Sequence, residues 1–244
     1  MKSLKIIILR QKTKVSEPYL QSFYYQGNLH IPVTTLLEKL NSNEPLIDAE
    51  GNEADYIHFE CSCEQGLCGS CSMVINGTPS LACQVFCDNI IDENNTIKIE
   101  PLSKFPVICD LIVDRQEMFN TMKEMELWLT SLAKVNPDKV PFQYDVSQCL
   151  MCGLCLEACP NYAKGDFFAG APAAVASIKM IEQEQDLNHK TFIKKIYKKK
   201  VFNGCSKALA CQNICPMKIP TQIAMSKMNK LSVWKMWQLF SKDK

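Results

Sequence analysis

Cysteine is the residue most able to do chemistry in this chain: there are 14 in 244 residues, and most of them are regularly spaced. Cys63, Cys68 and Cys71 are separated by four and two residues, and Cys83 follows after eleven more. Cys149, Cys152, Cys155 and Cys159 are separated by two, two and three residues, with Pro160 next. Cys205, Cys211 and Cys215 repeat that second pattern ahead of Pro216, with Ala208 standing where a second cysteine would fall. Thiolates at such intervals converge on a metal centre. Disulfides are the alternative, but no apolar stretch follows a basic N-terminal region, so no route to an oxidising compartment is expected. No run approaches the roughly 18 apolar residues that span a bilayer.

The first spacing is that of plant-type [2Fe–2S] ferredoxins, with Cys63, Cys68, Cys71 and Cys83 as ligands. Gly66 and Gly69 let the loop turn tightly, so that its N–H groups can face sulfur. A zinc ribbon is the rival, but it pairs two C-x2-C knuckles and only one such pair lies here. The second run is that of bacterial ferredoxins, where three thiolates hold one cube and the fourth crosses to another cluster. Applied to the repeat, that rule gives Cys149, Cys152, Cys155 and Cys215 to a [4Fe–4S] cluster. Cys159, Cys205 and Cys211 are left for a site where Ala208 supplies no ligand, which suits a [3Fe–4S] cluster. A labile fourth iron, held by water or a side chain, is the other reading. Cys61, Cys87 and Cys109 complete no spacing and read as small buried hydrophobes.

The elements that must position these ligands divide the chain in two. The first half reads as a small α+β domain. Strands are expected over residues 4–9, 19–25 and 96–100, and a short helix through Leu40 capped by Thr34 or Thr35 with Glu38. Segments 71–75 and 78–83 flank Asn76 and Gly77, a type I′ hairpin signal. The fold class expected is therefore α+β: an N-terminal β-grasp ferredoxin domain, residues 1–106, followed by an all-α bacterial-type ferredoxin domain, residues 107–244. In the second half, Leu111, Met118, Met122, Met125, Leu129 and Leu132 recur at helical spacing. Further helices are expected over 173–185, 191–200 and near the C-terminus.

Hydrophobic residues make up 47% of the chain and charged ones 22%, an ordinary globular balance that excludes a disordered chain. The net charge of +1, with arginine only at Arg10 and Arg115, argues against nucleic acid as a partner.

Three cluster types in this order resemble the iron–sulfur subunit of succinate dehydrogenases and fumarate reductases (the complex II family). The resemblance rests on residues 63–71, 105–114, 149–160 and 205–216, and it covers nearly the whole chain. It implies an electron-transfer subunit of a membrane-bound oxidoreductase, with no dicarboxylate active site of its own. It implies a separate FAD flavoprotein subunit and a membrane anchor that handles quinone. No G-x-G occurs in the sequence, which agrees with the flavin sitting on another chain. It also implies a peripheral location on the cytoplasmic side of the inner membrane. Where one class of the family carries tryptophans and a histidine for a quinone pocket, this chain has Asn161-Tyr-Ala-Lys164 and Ser206-Lys-Ala-Leu209. Residues 161–172 resemble instead the menaquinone-linked class, whose anchor is a dihaem cytochrome b.

Three further features stand beside the clusters. Lys194, Lys195, Lys198, Lys199 and Lys200 read either as a solvated face or as a contact with anionic headgroups. Leu231, Trp234, Trp237 and Phe240, with Lys227, Lys230 and Lys235, suggest an amphipathic helix packed in the core or against the anchor. His30, His58 and His189 lie outside the motifs, and none is expected to bind haem or metal.

Overall fold

The computed structural model describes residues 3–165 and 167–233, and the chain divides into two compact units. The first comprises Met1–Asp114 with Cys152–Glu157, and the second Arg115–Met151 with Ala158–Lys244.

The first unit begins with β1 (Leu4–Arg10), whose alternating burial puts Leu4, Ile6 and Ile8 at 0% exposure. Burying each such side chain contributes about 1.5–3 kcal/mol, which fixes the strand's register. β2 (Tyr19–Tyr25) pairs antiparallel to it along its whole length. α1 (Val33–Asn41) buries Val33, Leu36, Leu37 and Leu40 as one stripe. The expected cap by Thr34 or Thr35 with Glu38 does not form: the N-cap is Pro32, whose fixed φ suits a helix start, and both threonines lie inside the helix.

The hairpin of β3 (Ser72–Ile75) and β4 (Thr78–Leu81) turns on Asn76 and Gly77 at φ +47° and +75°, as a type I′ turn requires. β5 (Thr96–Glu100) pairs parallel with β1 and antiparallel with β3, giving a mixed sheet of order β2-β1-β5-β3-β4. β6 (Val107–Cys109) and β7 (Ile112–Val113) form a small separate ribbon.

The second unit is helical: α2 (Gln116–Glu124), α3 (Val140–Ser147), then α5 to α8, with α4 (Leu154–Glu157) belonging to the first unit. α5 (Gly170–Gln183) is its centre, burying Ala171, Ala173, Ala174, Val175 and Ile178. It packs against α2, α3, α6 (Leu187–Tyr197) and α8 (Thr221–Ser232), with the short α7 (Ala210–Asn213) beside α8.

The helical periodicity expected through Leu132 stops at Glu124. Glu126 takes φ +51° and the Leu127 N–H bonds back to the Met122 carbonyl at 3.0 Å, a Schellman-like stop. Beyond it, Thr130 N–H and Oγ1 and Ser131 Oγ bond to the Glu184 carboxylate, while Leu132 is 86% exposed.

The lysine run is divided too: Lys195, Lys198 and Lys199 are exposed, but Lys200 is buried, ion-paired with Glu124 and 4.6 Å from the centre of the Phe167 ring. Of the expected C-terminal amphipathic helix, Trp234, Lys235, Trp237 and Phe240 lie outside the described residues.

Candidate metal centres

All fourteen cysteines are thiols rather than disulfides. In the first unit, the segment between Cys63 and Cys71 bends through left-handed residues Glu64, Gly66 and Gly69, at φ +53°, +72° and +77°. That path aims N–H groups inward: Gln65 N and Leu67 N donate to Cys63 Sγ at 3.4 and 3.3 Å. A Cβ on Gly66 would come within 2.9 Å of the Gln84 side chain, so the close approach as well as the φ calls for glycine.

The β3–β4 hairpin returns the chain so that Ala82 N–H bonds to the Cys71 carbonyl at 3.1 Å, and Cys71 Sγ lies 3.4 Å from Cys83 Sγ. Sulfurs at that separation can share one tetrahedral metal ion, whose thiolates sit about 2.3 Å from the metal. Cys63 lies close enough to Cys68 to help lower its thiol. Cys71 with Cys83 is thus a close pair of sulfurs, and Cys63 and Cys68 neighbour each other on the same loop.

The two pairs differ in environment. Cys68 is exposed, and its thiol is pushed down to about 6, first by the Ser70 hydroxyl and then by the Ser70 N–H. Cys71 is buried, and burial pushes it up to about 12. Ser70 lies between two expected ligands and was overlooked by the cysteine spacing; a hydroxyl beside a ligand was the signal available.

In the second unit, burial raises the Cys149 thiol against an opposing Met151 N–H, and Cys215 lies close enough to add to the rise. Cys152 and Cys155 belong to the first unit, on and beside α4, whose Glu157 accepts hydrogen bonds from Ser103 Oγ and Lys104 N at 2.6 and 3.0 Å.

Cys211 is raised by burial, is approached by Cys159 and Cys205, and meets Thr221 Oγ1 at 3.8 Å. Ala208 lies between Lys207 and Leu209, both left-handed at φ +62° and +60°. A cavity of ≈ 260 Å³ opens beside Cys205 and Cys211, lined also by Tyr197, Lys207, Leu209 and Met225.

Of the remaining cysteines, Cys87 is fully buried and Cys61 half-buried. Cys109 lies with His58 and Asp110 in a group compact enough for a metal ion, but the Asp110 carboxylate is held by Arg10 at 2.8 and 3.1 Å. His30 pairs with Asp88 and His189 with Glu184.

A sheet unit with a four-cysteine loop and hairpin, followed along the chain by two repeated cysteine runs, is the arrangement of a two-domain iron–sulfur protein. Residues 5–120 match the 2Fe-2S iron-sulfur cluster binding domain family, and residues 145–219 the 4Fe-4S dicluster domain family. The chain is 28% identical over 239 residues to the succinate dehydrogenase iron-sulfur subunit of Bacillus subtilis, covering 94% of this chain and 92% of that one. It is 27% identical over 233 residues to the fumarate reductase iron-sulfur subunit of Wolinella succinogenes, covering 91% and 93%. Its fold is shared with a chain of the Mycobacterium smegmatis Sdh1 complex in the apo form, at TM-score 0.73 and 18% identity over 96% of this chain and 97% of that one.

The chain belongs to the iron–sulfur subunits of the succinate dehydrogenases and fumarate reductases. It is an electron-transfer subunit of that oxidoreductase, with 2Fe-2S and 4Fe-4S domains.

Proposed function

We propose that this chain relays electrons between the FAD of a flavoprotein subunit and the quinone or haem of a membrane anchor subunit, through [2Fe–2S], [4Fe–4S] and [3Fe–4S] clusters in that order. Clusters exchange single electrons at potentials set by ligand count, burial and hydrogen bonds to sulfur. Cys63 and Cys68 would hold one iron of the first cluster, and Cys71 and Cys83 the other. Cys149, Cys152, Cys155 and Cys215 would hold the second cluster, and Cys159, Cys205 and Cys211 the third. The observation that carries the reading is the pairing of the first four thiols, two exposed to donors and two buried, on a loop shaped to present N–H groups to sulfur. The reach of the Cys159 and Cys205 charges to Cys211, with Ala208 where the repeat would put a fourth thiol, supports a three-thiolate third site.

For partners, residues 161–172 support a menaquinone-linked anchor of the dihaem cytochrome b type, which would hold the chain on the cytoplasmic side of the membrane. Among the described residues, no helix is long and apolar enough to cross a membrane, in keeping with attachment through a separate anchor.

Electron paramagnetic resonance with iron and sulfide analysis of the anaerobically purified complex tests the assignment. The expected result is an oxidised-state [3Fe–4S] signal, a [2Fe–2S] signal on reduction, and about nine irons per chain. About ten irons with no oxidised-state signal would refute the three-iron site, and zinc without sulfide would refute the cluster assignment altogether.

A further inference from the structure

We propose that Ser70 is a positioning residue for the first cluster: its hydroxyl donates a hydrogen bond to Cys68 Sγ and thereby sets the midpoint potential at which that centre accepts an electron. This rests on the [2Fe–2S] assignment above. Ser70 Oγ lies 3.2 Å from Cys68 Sγ. A metal-bound thiolate carries no proton, so the hydroxyl must be the donor.

Reduction adds negative charge to the thiolates. Donors aimed at sulfur stabilise that charge and raise the potential. They are concentrated on one side of the site. Cys63 receives the Gln65 and Leu67 N–H groups, and Cys68 receives Ser70. On the buried side, Cys83 Sγ has the Gln84 amide at 3.8 Å. The Gln65 and Leu67 donors are backbone groups, which a change of side chain other than to proline leaves in place. Ser70 is therefore the position where side-chain identity tunes the exposed pair.

The test is a redox titration of the assembled complex, following the reduced [2Fe–2S] signal in Ser70→Ala, Ser70→Thr and Ser72→Ala. Ser72 Oγ donates to the Gly69 carbonyl at 2.7 Å, so its loss disturbs the same loop through a contact other than the Ser70 hydroxyl. Ser70→Ala should lower the reduced-to-oxidised ratio at fixed poise about three- to tenfold, tenfold being 59 mV for one electron. Ser70→Thr and Ser72→Ala should stay within about twofold of the unsubstituted protein.

An unchanged midpoint in Ser70→Ala at full signal intensity overturns the proposal, as does an equal shift in Ser72→Ala. If Ser70→Ala retains no iron, the near-isosteric pair Ser70→Thr and Ser70→Val decides: a lower midpoint in Ser70→Val than in Ser70→Thr upholds the hydroxyl's role, and equal midpoints overturn it. Absence of any [2Fe–2S] signal in the unsubstituted complex would instead overturn the ligand assignment beneath it.

Discussion

Arg10 and Asp110, a hundred residues apart in sequence, form a two-pronged ion pair with both side chains almost fully buried, Nη2 to Oδ2 at 2.8 Å and Nε to Oδ1 at 3.1 Å. The same guanidinium bonds to the Asp55 and Tyr56 carbonyls, so the end of β1 fixes the segment that leads to the Cys63 loop. Burial alone would raise the Asp110 carboxyl, but Arg10 and the His58 N–H outweigh it and hold the group below its ordinary range.

Removing one partner leaves an uncompensated buried charge. Arg10→Leu should destabilise the first unit by about 3–5 kcal/mol, and the double variant Arg10→Leu/Asp110→Leu should recover part of that. Urea unfolding followed by loss of cluster absorbance measures it. Equal stability of Arg10→Leu and the parent would show that the pair contributes nothing.

Glu184 makes a second prediction, in pH. Its carboxyl is held far below the usual range, first by the Ser131 hydroxyl, then by the Thr130 N–H, with the Asp186 N–H and His189 adding to them against burial. A depressed folded-state value means the stabilisation is present above the unfolded carboxyl value of about 4.3 and is lost as pH falls below it. Glu184→Gln should lower the unfolding temperature at pH 7. It should also flatten the acid limb, so that the gap between variant and parent begins to narrow as pH falls below about 4. Parallel acid limbs would exclude Glu184 as a source of acid sensitivity.

Two glycines separate backbone strain from crowding. A Cβ on Gly77 would meet nothing within 4 Å, so Gly77→Ala carries only the left-handed penalty of about 1–2 kcal/mol. Gly66→Ala carries the same penalty and also drives into Gln84 beside the Cys63 loop. Iron retention in the first unit should therefore fall much further in Gly66→Ala than in Gly77→Ala. Similar retention in the two would mean that the Gln84 contact is easily displaced.

At the third site, Ala208→Cys restores the thiol that the spacing lacks. The variant should gain about one iron per chain and lose the oxidised-state [3Fe–4S] signal. Persistence of that signal at full intensity would mean that residue 208 does not face the cluster.

The sequence announced what local chemistry dictates. Asn76 and Gly77 specified their turn because few residues tolerate two successive positive φ values, and Gly66 marked a tight loop whose N–H groups face Cys63. It hid what depends on long-range partners. The apolar spacing from Met118 to Leu132 resembles one helix, yet Thr130 and Ser131 bond to Glu184, more than fifty residues away, and hold that stretch out of helical form. Lys200 reads as part of a solvated basic run, but Glu124 and Phe167 draw it inside. Arg10 ends a strand with nothing beside it to suggest burial, because Asp110 and the carbonyls it bonds come from distant segments. Ser70 was legible in principle, being within two residues of a ligand, but spacing rules count cysteines only.

The first unit is not a continuous stretch of chain, since Cys152–Glu157 belongs to it. Within it, β1 must also wait for β5, ninety residues later, before it gains its parallel neighbour. On a ribosome adding about 5–20 residues per second, roughly 3–11 s separate the emergence of residue 100 from that of residue 157. During that interval the sheet can close while α4, with its buried Leu154 and Leu156, is still unmade. The nascent chain therefore presents its first thiols to the cell's cluster-delivery machinery before its own last wall is in place.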